Sequence, residues 1–304
     1  MRVNEEVPEC VSSCGKRSQY LYTNHAFREK LEKPILKSKN PDAVSQLRRL
    51  VQPFLLRRLK KDVLKELPPK EEYVRKISLS EDEQKLYYAC VQAAVADLGD
   101  EQGKLQILAA LTRLRQVCCD PGLCFENYEG PTSKLDACVE LVSSAVEGGH
   151  RILLFSQFTS MLELLAKRLD EAGVSHFTLQ GSTPKPVRAE LVRRFNSGEA
   201  DVFLISLRAG GTGLNLTAAD IVIHYDPWWN LAAQNQATDR AYRIGQRNPV
   251  QVYRLIAQDT IEEKIVELQQ AKQSLADTVT GTADGAILSM RPDELLQLLE
   301  GSEP

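Results

Sequence analysis

The sequence predicts an α/β fold: a lobe built on a parallel sheet covered by helices on both faces, preceded by a largely helical region and followed by a long C-terminal helix. Three observations lead there. From Ser133 onward, short apolar runs alternate with amphipathic stretches: RILLFSQ at 151–157, then 176–179, 202–205 and 221–224. Strands and helices taking turns at this spacing imply right-handed crossovers and parallel pairing. The runs at 202–205 and 221–224 are apolar throughout, as strands covered on both faces must be. The third observation is where the chemistry falls: Gln157, Gly181, Ser182, Arg208 and the glycines Gly210, Gly211 and Gly213 all follow such runs. In open parallel sheets that carboxyl edge is where ligands bind.

In chain order, residues 1–18 fit no element, and Ser13-Cys14-Gly15-Lys16-Arg17 lacks the spacing of a phosphate loop. A helix begins at 41–49. Residues 71–79, EEYVRKISL, alternate as a half-buried strand does. Ser80 with Glu83 forms a capping box for a helix reaching Leu98; Gly99-Asp100 breaks it, and it resumes over 104–118. The polar, turn-rich stretch 127–131 is the expected boundary. The lobe comes next, with helices at 134–146, 159–171 and 185–195 between its strands. A last strand, VQVYRLI, ends at Ile256, and Thr260 caps a long helix with Glu263 at its third position. The resulting division is 1–18 unassigned, 19–130 for the helical region, 131–257 for the α/β lobe and 258–304 for the C-terminal helices and acidic tail.

Composition narrows the class. At 304 residues and 43% hydrophobic, the chain suits about two domains. No run approaches the ~18 apolar residues of a membrane helix, and the start MRVNEEVPEC carries no apolar signal region, so an intracellular protein with no membrane partner is expected. Seven scattered cysteines argue against a disulfide framework. Cys10 with Cys14, and Cys118 and Cys119 with Cys124, lack paired metal-ligand spacing, so no metal site is expected. The net charge of −3 hides an asymmetry: residues 48–76 hold ten bases against four acids, while 257–304 hold ten acids against three bases. That permits a basic surface, although a solvated helical face would look the same.

The densest chemistry lies in 202–246. An apolar strand ends in Ser206, Arg208 and the glycine cluster, where backbone amides can approach a phosphate with no Cβ in the way. A second strand leads into the aromatic turn Asp226-Pro227-Trp228-Trp229-Asn230. Beyond it lies a helical segment, in which Asp239, Arg240 and Arg243 crowd into one turn. Two guanidinium groups three residues apart can converge on one anion, although two arginines beside an aspartate are by themselves more often a surface ion pair.

The wording RAGGTGLNL, YDPWWN and QATDRAYRIGQ resembles the last two conserved motifs of helicase superfamily two ATPases, and is similar to the SWI/SNF-type DNA translocases, especially bacterial ones. LYTNHAFREKLEKPIL, PFLLRRLKKDVLKELPPK and LTRLRQVCCDPGL resemble the family's end of the first ATPase lobe and its helical protrusions, so the resemblance covers roughly 20–300. It implies a RecA-like lobe, ATP with Mg2+, and double-stranded DNA as partner. It further implies that Arg240 and Arg243 are arginine fingers, that Gln236 begins the motif reaching the nucleotide, and that Gly211, Thr212 and Gly213 line the cleft. Ser156, Gln157, Gly181, Ser182, Arg208 and Asn230 match positions that track DNA phosphates. For Trp228 and Trp229, core packing and a place beside the cleft both stay open.

The departures are equally informative. Walker A, G-x4-G-K-[ST], is missing from these residues, as are the magnesium box and the motif coupling the lobes. Asp170-Glu171-Ala172-Gly173 imitates a magnesium box but closes an amphipathic helix. Pro186 and Leu231 stand where relatives differ, away from the chemistry. The expectation is the C-terminal half of a larger bacterial, cytoplasmic, nucleoid-associated DNA translocase. A first lobe would be supplied in cis or in trans, and there would be no ATP turnover without it. The competing readings are a non-catalytic DNA- or protein-binding module and an unrelated α/β enzyme.

Overall fold

In a computed structural model, the described residues are 30–31, 34, 41–51, 67–97, 104–207, 209 and 213–279. The chain divides into two compact units. The described part of the smaller one is residues 30–31 and 34, helix α1 (Pro41–Val51) and the end of the last helix. The larger unit contains the whole sheet.

Six parallel strands form that sheet in the order β1-β6-β5-β2-β4-β3. They are β1 (Lys70–Ile77), β2 (Ile152–Ser156), β3 (His176–Leu179), β4 (Val202–Ser206), β5 (Ile221–His224) and β6 (Val250–Ala257). Central β2, β4 and β5 are buried at every residue, which is why their sequences are continuous apolar runs. Edge strand β1 is exposed along most of its length and buried only at Ile77, so the half-buried alternation expected for it is not seen. The register pairs Ser156 with Ser206, Phe155 with His224 and Leu179 with Ile205, so the carboxyl ends of four strands lie level.

Between the strands run α2 (Glu81–Asp97), α3 (Lys104–Cys119), α4 (Ser133–Glu147), α5 (Thr159–Glu171), α6 (Lys185–Ser197) and α7 (Leu231–Thr238), and α8 (Ile261–Val279) follows β6. One sheet face buries Ile152, Leu154, Val202, Leu204 and Ile223 against Leu162 and Leu165 of α5 and Val142 of α4. The opposite face buries Leu153, Phe155, Phe203 and Ile205 against Phe195 of α6, Leu216 and Ala241. A third cluster joins α2, α3 and the start of α8 through Tyr87, Val91, Leu111, Leu114, Ile261 and Ile265. Each fully buried Leu, Ile or Phe contributes about 1.5–3 kcal/mol, so these layers set the scaffold on which the strand-end loops are carried.

Several local readings meet their physical cause here. The Glu83 amide donates to Ser80 Oγ at 3.3 Å and the Ser80 amide to Glu83 Oε2 at 2.8 Å, a complete capping box. The box also reaches across the expected boundary, because the Ser133 amide donates to Glu83 Oε1 at 2.9 Å. With β1 paired along β6, the segment before residue 131 belongs to the same compact unit as the lobe, and the division falls at Glu66. The imitation magnesium box lies at the end of α5. There the Val174 amide donates to the Leu169 carbonyl at 2.9 Å and Gly173 adopts φ +71°, a helix terminus and nothing more. Pro186 sits in the first turn of α6.

Candidate functional site

The carboxyl ends of β2, β3, β4 and β5 present four loops along one edge of the sheet. After β3, Gly181 and Ser182 are exposed, and a Cβ on Gly181 would meet nothing. Arg188 on α6 shapes this loop: its Nε donates to the Thr183 carbonyl and its Nη2 to the Gly181 carbonyl, both at 2.7 Å. Those bonds occupy the Thr183 and Gly181 carbonyl oxygens. After β4, Arg208, Gly211 and Thr212 lie outside the described residues, while Gly213 is exposed with φ +44°.

After β2 and β5 the arrangement is buried and charged. Ser156 is fully buried, and its hydroxyl donates to Asp226 Oδ1 at 2.6 Å. Its role here is to hold that carboxylate, not to present a hydroxyl to a phosphate. The Gln157 amide donates to the same oxygen at 3.2 Å, and the Gln157 side-chain oxygen accepts from Arg115 Nη1 at 2.9 Å. Burial pushes the Asp226 pKa above its ordinary value, against the pull of Arg115 and Ser156. Asn230, another expected DNA contact, caps α7: its Oδ1 accepts from the amides of Ala232 and Ala233 at 2.8 and 3.3 Å. Trp228 packs on the Phe155 face of the sheet, and Trp229 on the helical cluster.

The arginine pair departs from the expected helix. α7 ends at Thr238, and Arg240 and Arg243 occupy a succession of tight turns. A tertiary contact ends the helix: the Leu216 amide donates to the Arg240 carbonyl at 3.1 Å, taking an acceptor that a continuing helix would need. Gly245, at φ +103°, completes the reversal. Gln246 locks it, donating to the Ala219 carbonyl at 2.7 Å while its Oε1 accepts the amides of Arg247 and Asn248. The arginine turn is therefore fastened to the segment that leaves the glycine cluster. Arg240 is 7% exposed and its Nε lacks a hydrogen-bond partner, whereas Arg243 is exposed, as is Gln236. Burial, then the charge of Arg243, lowers the Arg240 pKa, with Asp239 opposing. Two neighbouring cations, one desolvated, suit an anion placed between them.

Two features were not singled out from the sequence. Arg115 on α3 is buried and bonds Gln157, Asp226 and the Pro227 carbonyl. Its signal was available: it stands four residues after Leu111 and beside Leu114, on the helix's apolar stripe, where a charge demands a partner. The other is the pair Lys134–Glu262, both fully buried, with Nζ to carboxylate distances of 2.5 and 2.7 Å. Among the described residues no group of three metal-ligating side chains converges. No helix among them is long and apolar enough to cross a membrane.

Residues 17–123 match the SNF2-related domain and residues 133–245 the helicase conserved C-terminal domain. The chain carries an SNF2-related domain and a helicase conserved C-terminal domain, and it is similar to ATP-dependent helicases and SWI/SNF-type ATPases. The chain is 37% identical to an uncharacterized ATP-dependent helicase of Mycoplasma genitalium and 38% identical to the putative ATP-dependent helicase/translocase YwqA of Bacillus subtilis. Each match covers 92% of this chain but only 27% and 31% of those proteins, so the chain spans about a quarter to a third of their length. Among solved structures, the Sulfolobus solfataricus SWI2/SNF2 ATPase core in complex with dsDNA superposes with a TM-score of 0.64 at 30% identity, over 92% of this chain and 61% of that one. The lobe is thus RecA-like.

Proposed function

We propose that this chain is the second-lobe portion of an ATP-dependent motor on double-stranded DNA, and that Arg243, with Arg240 behind it, neutralises charge on the phosphoryl group transferred from ATP. The observation that carries the reading is the arginine turn. An exposed guanidinium stands beside a buried one whose Nε has no partner, both tied to the exit of the glycine cluster. Phosphoryl transfer spreads negative charge over the equatorial oxygens, and a guanidinium delivered there is worth about 10³ to 10⁵ in rate. Gly213, with Gly211 and Thr212, and Gln236 would border the same nucleotide. ATP is the substrate. Carboxylates of a first lobe supplied in cis or in trans, along with the Walker lysine, would hold magnesium, which would supply neutralisation of the phosphate charge.

The DNA partner is inferred from the strand-end loops and from the Sulfolobus relative solved with dsDNA. Gly181 and Ser182 offer an exposed surface, and Gln157 and Asn230 follow the neighbouring strands; Arg208 would join them by its place in the sequence. Such contacts position a phosphate backbone without reading bases. A bacterial motor of this kind would work at the nucleoid.

The test is a titration of double-stranded DNA into the chain at increasing salt. Log affinity is expected to fall linearly with log salt, and Ser182→Glu to weaken binding for every sequence alike. Affinity insensitive to salt, or no binding at low salt, would refute the DNA half. On its own the chain is expected not to hydrolyse ATP.

A further inference from the structure

We propose that Arg115 and Gln269 are positioning residues that clamp the turn 226–230 from two sides and so set the place of α7 and the arginine turn. Two successive carbonyls of the turn are taken by buried side chains from distant elements: Pro227 by Arg115 of α3, and Trp228 by Gln269 of α8. Each side chain then reaches one element further. Arg115 holds the Gln157 amide oxygen at 2.9 Å at the end of β2, lies 3.5 Å from Asp226 Oδ2, and places its guanidinium 5.2 Å from the Trp229 ring centroid. Gln269 reaches Gln234 Oε1 on α7 at 3.4 Å.

The clamp matters because the segment beyond it has little regular structure of its own. From Asp226 to Gln246 the chain forms no ladder, and α7 is eight residues long, too short to be stable by itself. Its first turn is capped by Asn230, the last residue of the clamped turn, and its last residue runs directly into Asp239, Arg240 and Arg243. A shift of the turn would therefore be passed on to the guanidinium groups, and an ångström of misplacement is costly for a group acting on a transition state. The arginine fork suits this work because it bonds three acceptors at once in a fixed plane, a geometry that the point charge of a lysine does not reproduce. Through these two residues the helices α3 and α8, neither of which carries strand-end loops, gain purchase on the arginine turn. The catalytic consequence rests on the function proposed above; the mechanical claim does not.

The test is hydrogen–deuterium exchange on the full chain for the native protein, Gln269→Leu and Arg115→Lys. Arg115→Lys keeps a cation near Asp226 while giving up the fork. Each variant is expected to exchange about fivefold faster in peptides covering 226–246, with β2 and β4 unchanged, as befits a local opening that has lost one hydrogen bond. The chain's only two tryptophans are Trp228 and Trp229, so intrinsic fluorescence reports this turn alone, and its emission should shift in both variants. Unchanged exchange at 226–246, or equal acceleration throughout the unit, overturns the proposal; if Arg115→Lys does not fold, Gln269→Leu decides. With a first lobe present, Gln269→Leu should lower the kcat of ATP hydrolysis at unchanged KM. Loosened peptides with an unchanged kcat would leave the clamp standing and sink the arginine reading instead.

Discussion

Replacing Lys134 by Met puts the buried ion pair to a quantitative test. Lys134 Nζ lies 2.5 and 2.7 Å from the two Glu262 oxygens, both residues are almost wholly shielded from water, and the ammonium sits 5.1 Å from the Tyr225 ring centroid. Burial draws the lysine pKa down, but Glu262 more than reverses this and holds the ammonium charged above its ordinary range. Lys134→Met leaves the carboxylate with the Ala257 amide at 2.8 Å as its remaining short contact. An uncompensated buried carboxylate costs about 3–5 kcal/mol. The double change Lys134→Met with Glu262→Leu removes both charges and strands only the Ala257 amide, so its cost should be about 1–2 kcal/mol. Urea unfolding followed by tryptophan fluorescence measures both, since Trp228 and Trp229 lie in the unit concerned. A single variant costing under about 1 kcal/mol, or a double variant as unstable as the single one, would refute the reasoning.

Three further outcomes can be worked from the geometry. His224 is buried and held neutral, its pKa lowered to about 3 chiefly by burial, then by Arg254 and Lys70. Because the unfolded imidazole titrates near 6.5, the unfolded chain binds the extra proton first, and stability is lost as pH falls from about 6.5 toward 3. Over about 6.5 to 4 the loss is about 3 kcal/mol, and it should shrink in His224→Gln when unfolding midpoints are compared across pH. Asn230→Ala removes the cap of α7 and should cost about 1 kcal/mol by the same urea assay; no loss would mean that the cap bonds contribute nothing. Gly198, at φ +92°, faces Arg151 so closely that an added Cβ would collide with its Nη2. Gly198→Ala should therefore lower the thermal midpoint, by an amount worth about 1 kcal/mol or more.

The central strands were legible because their burial on both faces leaves no alternation to misread: 221–224 matches to the residue and 202–206 is one longer than its apolar run; the partly buried edge strand 176–179 also matches to the residue. Helix α5 is equally plain, since its amphipathic stripe and its glycine terminus agree. What stayed hidden depends on partners far along the chain. The end of α7 is decided by a Leu216 amide that no local pattern around Arg240 reveals. Ser156 matches a position that tracks DNA phosphates, and only the structure shows its hydroxyl donating to Asp226, seventy residues on. The boundary near 131 looked like a linker because its loop is polar, yet β1 pairs along the whole of β6 across it. Arg115 and Glu262 belong to the same class: each is a charge on an apolar stripe, readable as a demand for a partner but not as the name of one.

The most direct test of the central claim joins this chain, in one polypeptide or in a mixture, to a first lobe carrying the Walker lysine and magnesium carboxylate. ATP hydrolysis stimulated by double-stranded DNA is then compared for Arg243 and Arg243→Ala. Arg243 is exposed, so its removal should leave folding intact while lowering kcat by about 10³ or more. A variant hydrolysing ATP at the native rate would contradict the account.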